Sequence, residues 1–209
     1  MIKCVIFDCD GTLVDSEYLC NLGLEINLRN YGIESPATKM MEQFRGVKLA
    51  TILQTIEVQY QIKLRDDFVI SYREVVDELF EKNLKPCEGV STVLAEINLP
   101  KCVASSGPPE KINKALSLTG LLDYFKGNIF SSYVVGSWKP DPGLFLHAAK
   151  EMDFQPSECA VVEDSIVGVL AAKSAGMRSI LYDPNGIHDP TLSSFTIQHM
   201  QQLQSAILQ

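Results

Sequence analysis

Asp8 and Asp10 stand two residues apart in Asp8-Cys9-Asp10-Gly11-Thr12, directly after the apolar run Cys4-Val5-Ile6-Phe7. Two carboxylates so spaced can divide a phosphoryl transfer between them. Asp8 can attack phosphorus and carry the group as an aspartyl phosphate. Asp10 can protonate the departing oxygen and then take a proton from the attacking water. An acidic turn that only caps the next helix would share the D-x-D pattern. The buried-strand pattern before the pair and Gly-Thr after it favour the chemical reading. Cys9, between the two, has no histidine nearby to activate it and reads as a small packing residue.

Three further groups suit the same reaction. Ser105, in Val103-Ala104-Ser105-Ser106-Gly107, offers a hydroxyl, and Ser106 a backbone N–H, to a phosphoryl oxygen. Lys139, in Trp138-Lys139-Pro140-Asp141-Pro142, is a cation in a proline-stiffened loop before a helix. Glu163-Asp164 supplies paired carboxylates, hard oxygen ligands for Mg²⁺. A carboxylate attacking a phosphate dianion is repelled: two unit charges 4 Å apart cost about 4 kcal/mol at an effective dielectric of 20. A lysine and a divalent cation offset that repulsion.

These groups need a scaffold, and the surrounding pattern describes one. Short apolar runs at Lys3–Phe7, Lys101–Ser105, Cys159–Glu163 and Arg178–Tyr182 read as strands buried on both faces. Helical stripes alternate with them: Val90, Val93, Leu94 and Ile97; Leu144, Phe145, Ala148 and Met152; Ile166, Val167, Leu170 and Ala171. The implied fold is α/β, a Rossmann-like parallel sheet with helices on both faces. In such sheets ligands bind at the carboxyl ends of the strands, and each of the four chemical elements falls at the end of an expected strand or in the following loop. Residues 17–85 carry no strand pattern. Stripes of Leu49, Ile52, Leu53, Ile56 and Tyr60, and of Phe68, Tyr72, Val75, Val76, Leu79 and Phe80, read as an inserted helical bundle. The expected organisation is a catalytic core of 1–16 and 86–209 with a helical insert of 17–85. The tail from Thr191 reads only as a short helix near Met200–Leu208.

Composition narrows the function classes. The chain has 209 residues and a net charge of −8, with no basic stripe, which argues against nucleic acid as a partner. No apolar run reaches membrane-span length, and the amino terminus shows no signal-peptide pattern. The six cysteines form no C-x-x-C pair, and Cys4, Cys102 and Cys159 lie within apolar runs. The expectation is a reduced, cytoplasmic protein acting on a small phosphorylated molecule, as a monomer, with a dimer as the alternative.

With these residues in view, the chain resembles the haloacid dehalogenase superfamily over nearly its whole length. Asp8-Cys9-Asp10-Gly11-Thr12, Ser105, Lys139 and Glu163-Asp164 are similar to that family's four motifs in order. The insert resembles the mobile cap of its β-phosphoglucomutase-like branch. The resemblance implies Mg²⁺ bound by the Asp8 carboxylate, the Asp10 backbone carbonyl and Asp164, with Glu163 a ligand or a partner to one. It implies a substrate-selecting loop at Arg45-Gly46-Val47-Lys48. Either cation could meet a second anionic group on the substrate, such as the carboxylate of 6-phosphogluconate. The mutases of this branch carry a histidine where Cys20 stands and an arginine where Leu49 stands. Both departures weaken an isomerase reading, which is kept as the alternative to a phosphatase; a non-catalytic binding protein is the remoter one. Dehalogenases lack the second aspartate, so Asp10 argues against halide chemistry.

Overall fold

Every residue of β1 (Cys4–Phe7) is buried, so the strand is covered on both faces. In the computed structural model, which describes residues 1–125 and 127–209, β1 lies inside a six-stranded sheet. The other strands are β2 (Lys101–Ser105), β3 (Ile129–Ser131), β4 (Cys159–Glu163), β5 (Arg178–Tyr182) and β6 (Phe195–Ile197). Their order is β3-β2-β1-β4-β5-β6 and every pairing is parallel. The chain builds outward from β1 in one direction, then crosses to β4 and builds the other way. The carboxyl end of β1, flanked by β2 and β4, is therefore the switch point where such sheets open a crevice.

Between β1 and β2 come α1 (Glu17–Arg29), α2 (Ala37–Phe44), α3 (Leu49–Tyr60) and α4 (Phe68–Asn83), with no strand among them. Leu24, Leu28, Met40, Ile56, Phe68, Val76 and Phe80 are buried there, each stripe turned inward as its helical period requires. Gly23 lets α1 and α4 approach: a Cβ on it would meet Val76 at 2.6 Å. Asn27, buried on α1, donates to Gly23 O at 2.9 Å and accepts from Ser71 Oγ of α4 at 2.8 Å.

After that stretch come α5 (Val90–Glu96), α6 (Pro109–Leu118), α7 (Ser132–Val135), α8 (Gly143–Glu151), α9 (Ile166–Ser174) and α10 (Leu203–Leu208). One face of the sheet, with Cys4, Ile6, Cys102, Ala104, Cys159 and Val161, packs against Leu144, Phe145, Ala148 and Ala149 of α8 and Ala171 and Ala172 of α9. The alternate residues Val5, Phe7, Val103, Ala160 and Val162 are buried too, with Phe7 meeting Phe125 edge-on at 6.1 Å. Here α9 corrects the sequence reading. Its buried residues are Gly168, Val169, Ala171 and Ala172, whereas Leu170 is exposed and Ile166 and Val167 only half-buried. The helix is apolar nearly all round, so its period left the inward face undetermined, and close packing on the sheet selects the smaller residues.

The chain separates into two compact units, Met1–Val14 with Pro86–Gln209, and Asp15–Lys85. The first division falls two residues before the expected one. The linkers account for it: Cys87 N donates to Leu13 O at 2.9 Å, and Val14 bridges Pro86 in antiparallel fashion. Both pairings tie residues 13 and 14 to the α/β unit.

Candidate active site

Asp8, Ser105 and Glu163 sit where a strand runs out, and Lys139 comes from the loop between α7 and α8. Asp8 follows β1, and its N–H is fixed by Val162 O of β4 at 2.9 Å. Ser105 ends β2, Glu163 ends β4, and Asp164 follows it. The turn after Asp10 depends on Gly11, which has φ +75°. A side chain there would be strained, and its Cβ would run into the Asp164 carboxylate. The same device recurs on α9, where a Cβ on Gly168 would overlap the Glu163 carboxylate.

Lys139 joins two strand ends, those of β1 and β4. Its Nζ lies 2.5 Å from Asp8 Oδ1 and also donates to Glu163 Oε1. Its side chain is 6% exposed, and its ammonium stands 5.1 Å from the Phe145 ring centroid. The loop is braced by Asp141, which accepts from Ser137 Oγ at 2.6 Å and from Gly143 N, the first residue of α8, at 2.8 Å. Trp138 packs edge-on to Tyr133 at 5.7 Å. Burial opposes the Lys139 charge, but Asp8 and Glu163 outweigh it and raise the ammonium's pKa.

Glu163 has both oxygens engaged. Oε1 accepts from Lys139, while Oε2 accepts from Ser165 Oγ at 2.8 Å and Ser165 N at 3.2 Å. Ser165 in turn caps α9 by accepting from Gly168 N at 3.1 Å. Asp8 feels the opposite balance from Lys139. Its carboxyl is raised to about 7, because burial and then the neighbouring charge of Glu163 push it up by more than Lys139 pulls it down.

Asp8, Glu163 and Asp164 each bring a carboxylate oxygen within 4.8 Å of the others, and all three residues are buried. These three carboxylates, two of them paired with the Lys139 ammonium, form an all-oxygen set, which suits a hard divalent cation such as Mg²⁺. Such a cation would counter the desolvation that holds Asp8 up.

Ser105 is 1% exposed, and its hydroxyl accepts from Gly107 N at 3.1 Å. Ser131 of β3 donates to Gly107 O at 2.6 Å, so the outer strand pins this loop. Ser106, next in the loop, is half-buried. Cys9 is buried, and burial, then the charges of Asp10 and Asp8, push its thiol pKa well above the ordinary value. A thiolate nucleophile is thereby disfavoured. Arg45 and Lys48 lie outside the α/β unit, in the turn between α2 and α3. Lys111 was absent from the sequence reading. Its Nζ holds both oxygens of Asp10, at 2.8 and 2.9 Å. The available signal was its place in the first turn of the helix that follows the Ser105 loop.

The comparisons with known proteins agree with this geometry. A model of the family described as haloacid dehalogenase-like hydrolase matches residues 2–176. The 6-phosphogluconate phosphatase of Escherichia coli (strain K12) is 36% identical over 207 residues, 97% of this chain and 93% of that protein. The β-phosphoglucomutase of Bacillus subtilis (strain 168) is 28% identical over 193 residues, 86% of this chain and 82% of that protein. A solved haloacid dehalogenase-like protein of unknown function from Agrobacterium tumefaciens str. C58 superposes with a TM-score of 0.86 at 30% identity, covering 100% of this chain and 98% of that one. A parallel sheet with these carboxylates at its switch point, and a family match spanning its residues from Asp8 to Asp164, lead to one assignment: the chain belongs to the haloacid dehalogenase-like hydrolase family.

Proposed function

We propose that this phosphoric monoester hydrolase removes the phosphoryl group from a small phosphorylated sugar or sugar acid, through an aspartyl phosphate on Asp8 and with Mg²⁺. The observation that carries the reading is Asp8 itself: a buried carboxylate at the switch point, held by Lys139 and grouped with Glu163 and Asp164. In the first half-reaction an Asp8 oxygen bonds to phosphorus as the phosphorus–leaving oxygen bond breaks. Asp10 gives that oxygen a proton. In the second, a water oxygen bonds to phosphorus, the Asp8–phosphorus bond breaks, and Asp10 takes the proton from the water. Phosphate leaves and the Asp8 carboxylate is restored. Lys139 orients Asp8 and neutralises phosphoryl charge. The Ser105 hydroxyl, fixed by Gly107, and the Ser106 N–H hold a phosphoryl oxygen.

Mg²⁺ would be held by the carboxylates of Asp8 and Asp164 with the Asp10 backbone carbonyl, and supplies electrostatic relief for carboxylate and phosphate meeting. Glu163, with both oxygens engaged by protein donors, is assigned to holding Lys139 and Ser165 in place. The helical unit is proposed as the substrate-selecting cap, through Arg45 and Lys48. The Escherichia coli relative named above supports 6-phosphogluconate as the compound to test first. The free cysteines support a reducing, cytoplasmic setting. Among the described residues no helix is long and apolar enough to cross a membrane.

Phosphate release from a panel of sugar and sugar-acid phosphates, with and without Mg²⁺, tests the proposal. Metal-dependent release with 6-phosphogluconate preferred over glucose 6-phosphate is expected. Isomerisation without net phosphate release would overturn it in favour of a mutase.

A further inference from the structure

We propose that Lys111 is a positioning residue for Asp10, fixing the carboxylate that handles the leaving-group proton. This rests on the role given to Asp10 above. The geometry is specific. One ammonium lies within 2.8 and 2.9 Å of the two oxygens of a single carboxylate. That double grip sets the plane of the carboxylate as well as its place. Both side chains are about three-quarters buried, at 24% and 23% exposed, unlike the exposed ion pairs that contribute little.

The cation is delivered by a rigid element. Lys111 lies in the first turn of α6, which opens at Pro109 and is anchored by Ile112, Ala115 and Leu116, all buried. The loop before it is pinned by the Ser131 bond to Gly107 O. Lys111 therefore comes from a helix start fixed to the sheet, while Asp10 sits on a turn whose next residue, Gly11, has the backbone freedom of a positive φ. A proton donor must be within hydrogen-bond reach of the oxygen it serves, and a small misplacement of an aligned group is costly. The grip confines Asp10 to one orientation.

The steps that depend on this can be separated kinetically. As Asp8 bonds to phosphorus, the bond to the leaving oxygen breaks and the Asp10 proton moves to that oxygen. A p-nitrophenolate leaves readily without that proton, whereas a more basic phenolate needs it. The ratio kcat/KM covers steps only through leaving-group departure, so the second half-reaction, where Asp10 takes a proton from water, does not enter it.

The test uses aryl phosphates from p-nitrophenyl to p-methoxyphenyl phosphate, with Lys111→Met, Lys111→Arg, Asp10→Ala and Lys111→Met/Asp10→Ala in the full chain. Lys111→Met is expected to lower kcat/KM for p-methoxyphenyl phosphate by about tenfold or more, with a much smaller loss for p-nitrophenyl phosphate. Lys111→Arg should restore most of the loss. The double variant should show the leaving-group dependence of Asp10→Ala alone. An equal loss on every substrate for Lys111→Met, beside a leaving-group-dependent loss for Asp10→Ala, would overturn the proposal and leave Asp10 in its role. A loss independent of leaving group for Asp10→Ala would overturn the reading of Asp10 and the proposal with it.

Discussion

The α/β unit and the helical unit treat charge in opposite ways. In the first, Asp8, Glu163 and Asp164 are buried at strand ends, and Lys139, 6% exposed, bridges Asp8 and Glu163. In the second, charge is dispersed over helix surfaces and turns. Arg29 pairs with Glu25 at 2.5 Å along α1, and Arg65 with Asp67 at 3.1 Å, with the arginine side chains 63% and 66% exposed. Lys48 lies exposed after Gly46, whose φ is +71°. Burying like charges is costly unless partners and preorganised donors compensate, so a cluster kept in that state points to chemistry. Solvated charges cost little, so they are compatible with almost any use. The reaction class is accordingly read from the first unit, and selection of the leaving group by the second is the proposal that remains to be tested.

The sharpest way to break this comparison is Asp8→Asn. An amide fills the space but cannot form the acyl phosphate. Turnover should fall about a thousandfold or more on every substrate, as measured by phosphate release in freshly prepared protein, before deamidation. Survival of more than a few per cent of activity would separate the buried cluster from the chemistry.

Asp164→Ala comes next. Loss of this proposed Mg²⁺ ligand should cost about a hundredfold in kcat/KM, and excess chelator should abolish the activity of the parent protein. Unchanged activity in chelator would mean that the three carboxylates serve only the fold.

Lys48→Ala probes the other unit. The predicted loss is selective: about tenfold to a hundredfold on 6-phosphogluconate, corresponding to one charge-assisted contact, with little change on p-nitrophenyl phosphate. Equal losses would assign Lys48 to the helical unit's own stability.

The smallest expected effect is on stability. Asp8 is held at about 7, above its ordinary 3.8, so between those values the folded chain keeps a proton that the unfolded chain has released. The stability this contributes is present below pH 4 and is lost as pH rises to about 7. In chelator, Asp8→Asn should remove that slope and melt a few degrees above the parent at pH 8, with the gap closing towards pH 4. Thermal unfolding across this range checks it. A gap independent of pH would show that Asp8 is not strained by burial.

Legibility in the sequence followed the same division. β2, β4 and β5 run from Lys101, Cys159 and Arg178 to Ser105, Glu163 and Tyr182, the bounds expected from apolar runs alone. Strands covered on both faces leave a continuous apolar signature, and a polar residue ending one stands out. Asp8, Ser105 and Glu163 could be picked out for that reason. β3 and β6 have three residues each, too few to show a pattern. Lys111 escaped because its partner lies 101 residues away, and a lysine on a helix is ordinary until the fold brings it to a carboxylate. The inward face of α9 escaped because Ile166-Val167-Gly168-Val169-Leu170 is apolar at every position; contact with the sheet decides the face.

The most direct test of the central claim is to trap the phosphoenzyme. The protein is mixed with Mg²⁺ and excess 6-phosphogluconate or p-nitrophenyl phosphate, quenched in acid during turnover, and reduced with borohydride, which converts an acyl phosphate to the alcohol. Peptide mass spectrometry then locates the change. Covalent catalysis predicts homoserine at position 8 in the parent protein, dependent on substrate and Mg²⁺, and none in Asp8→Asn. Rapid turnover with position 8 unmodified at every quench time, or reduction at Asp10 or Asp164 instead, would contradict it.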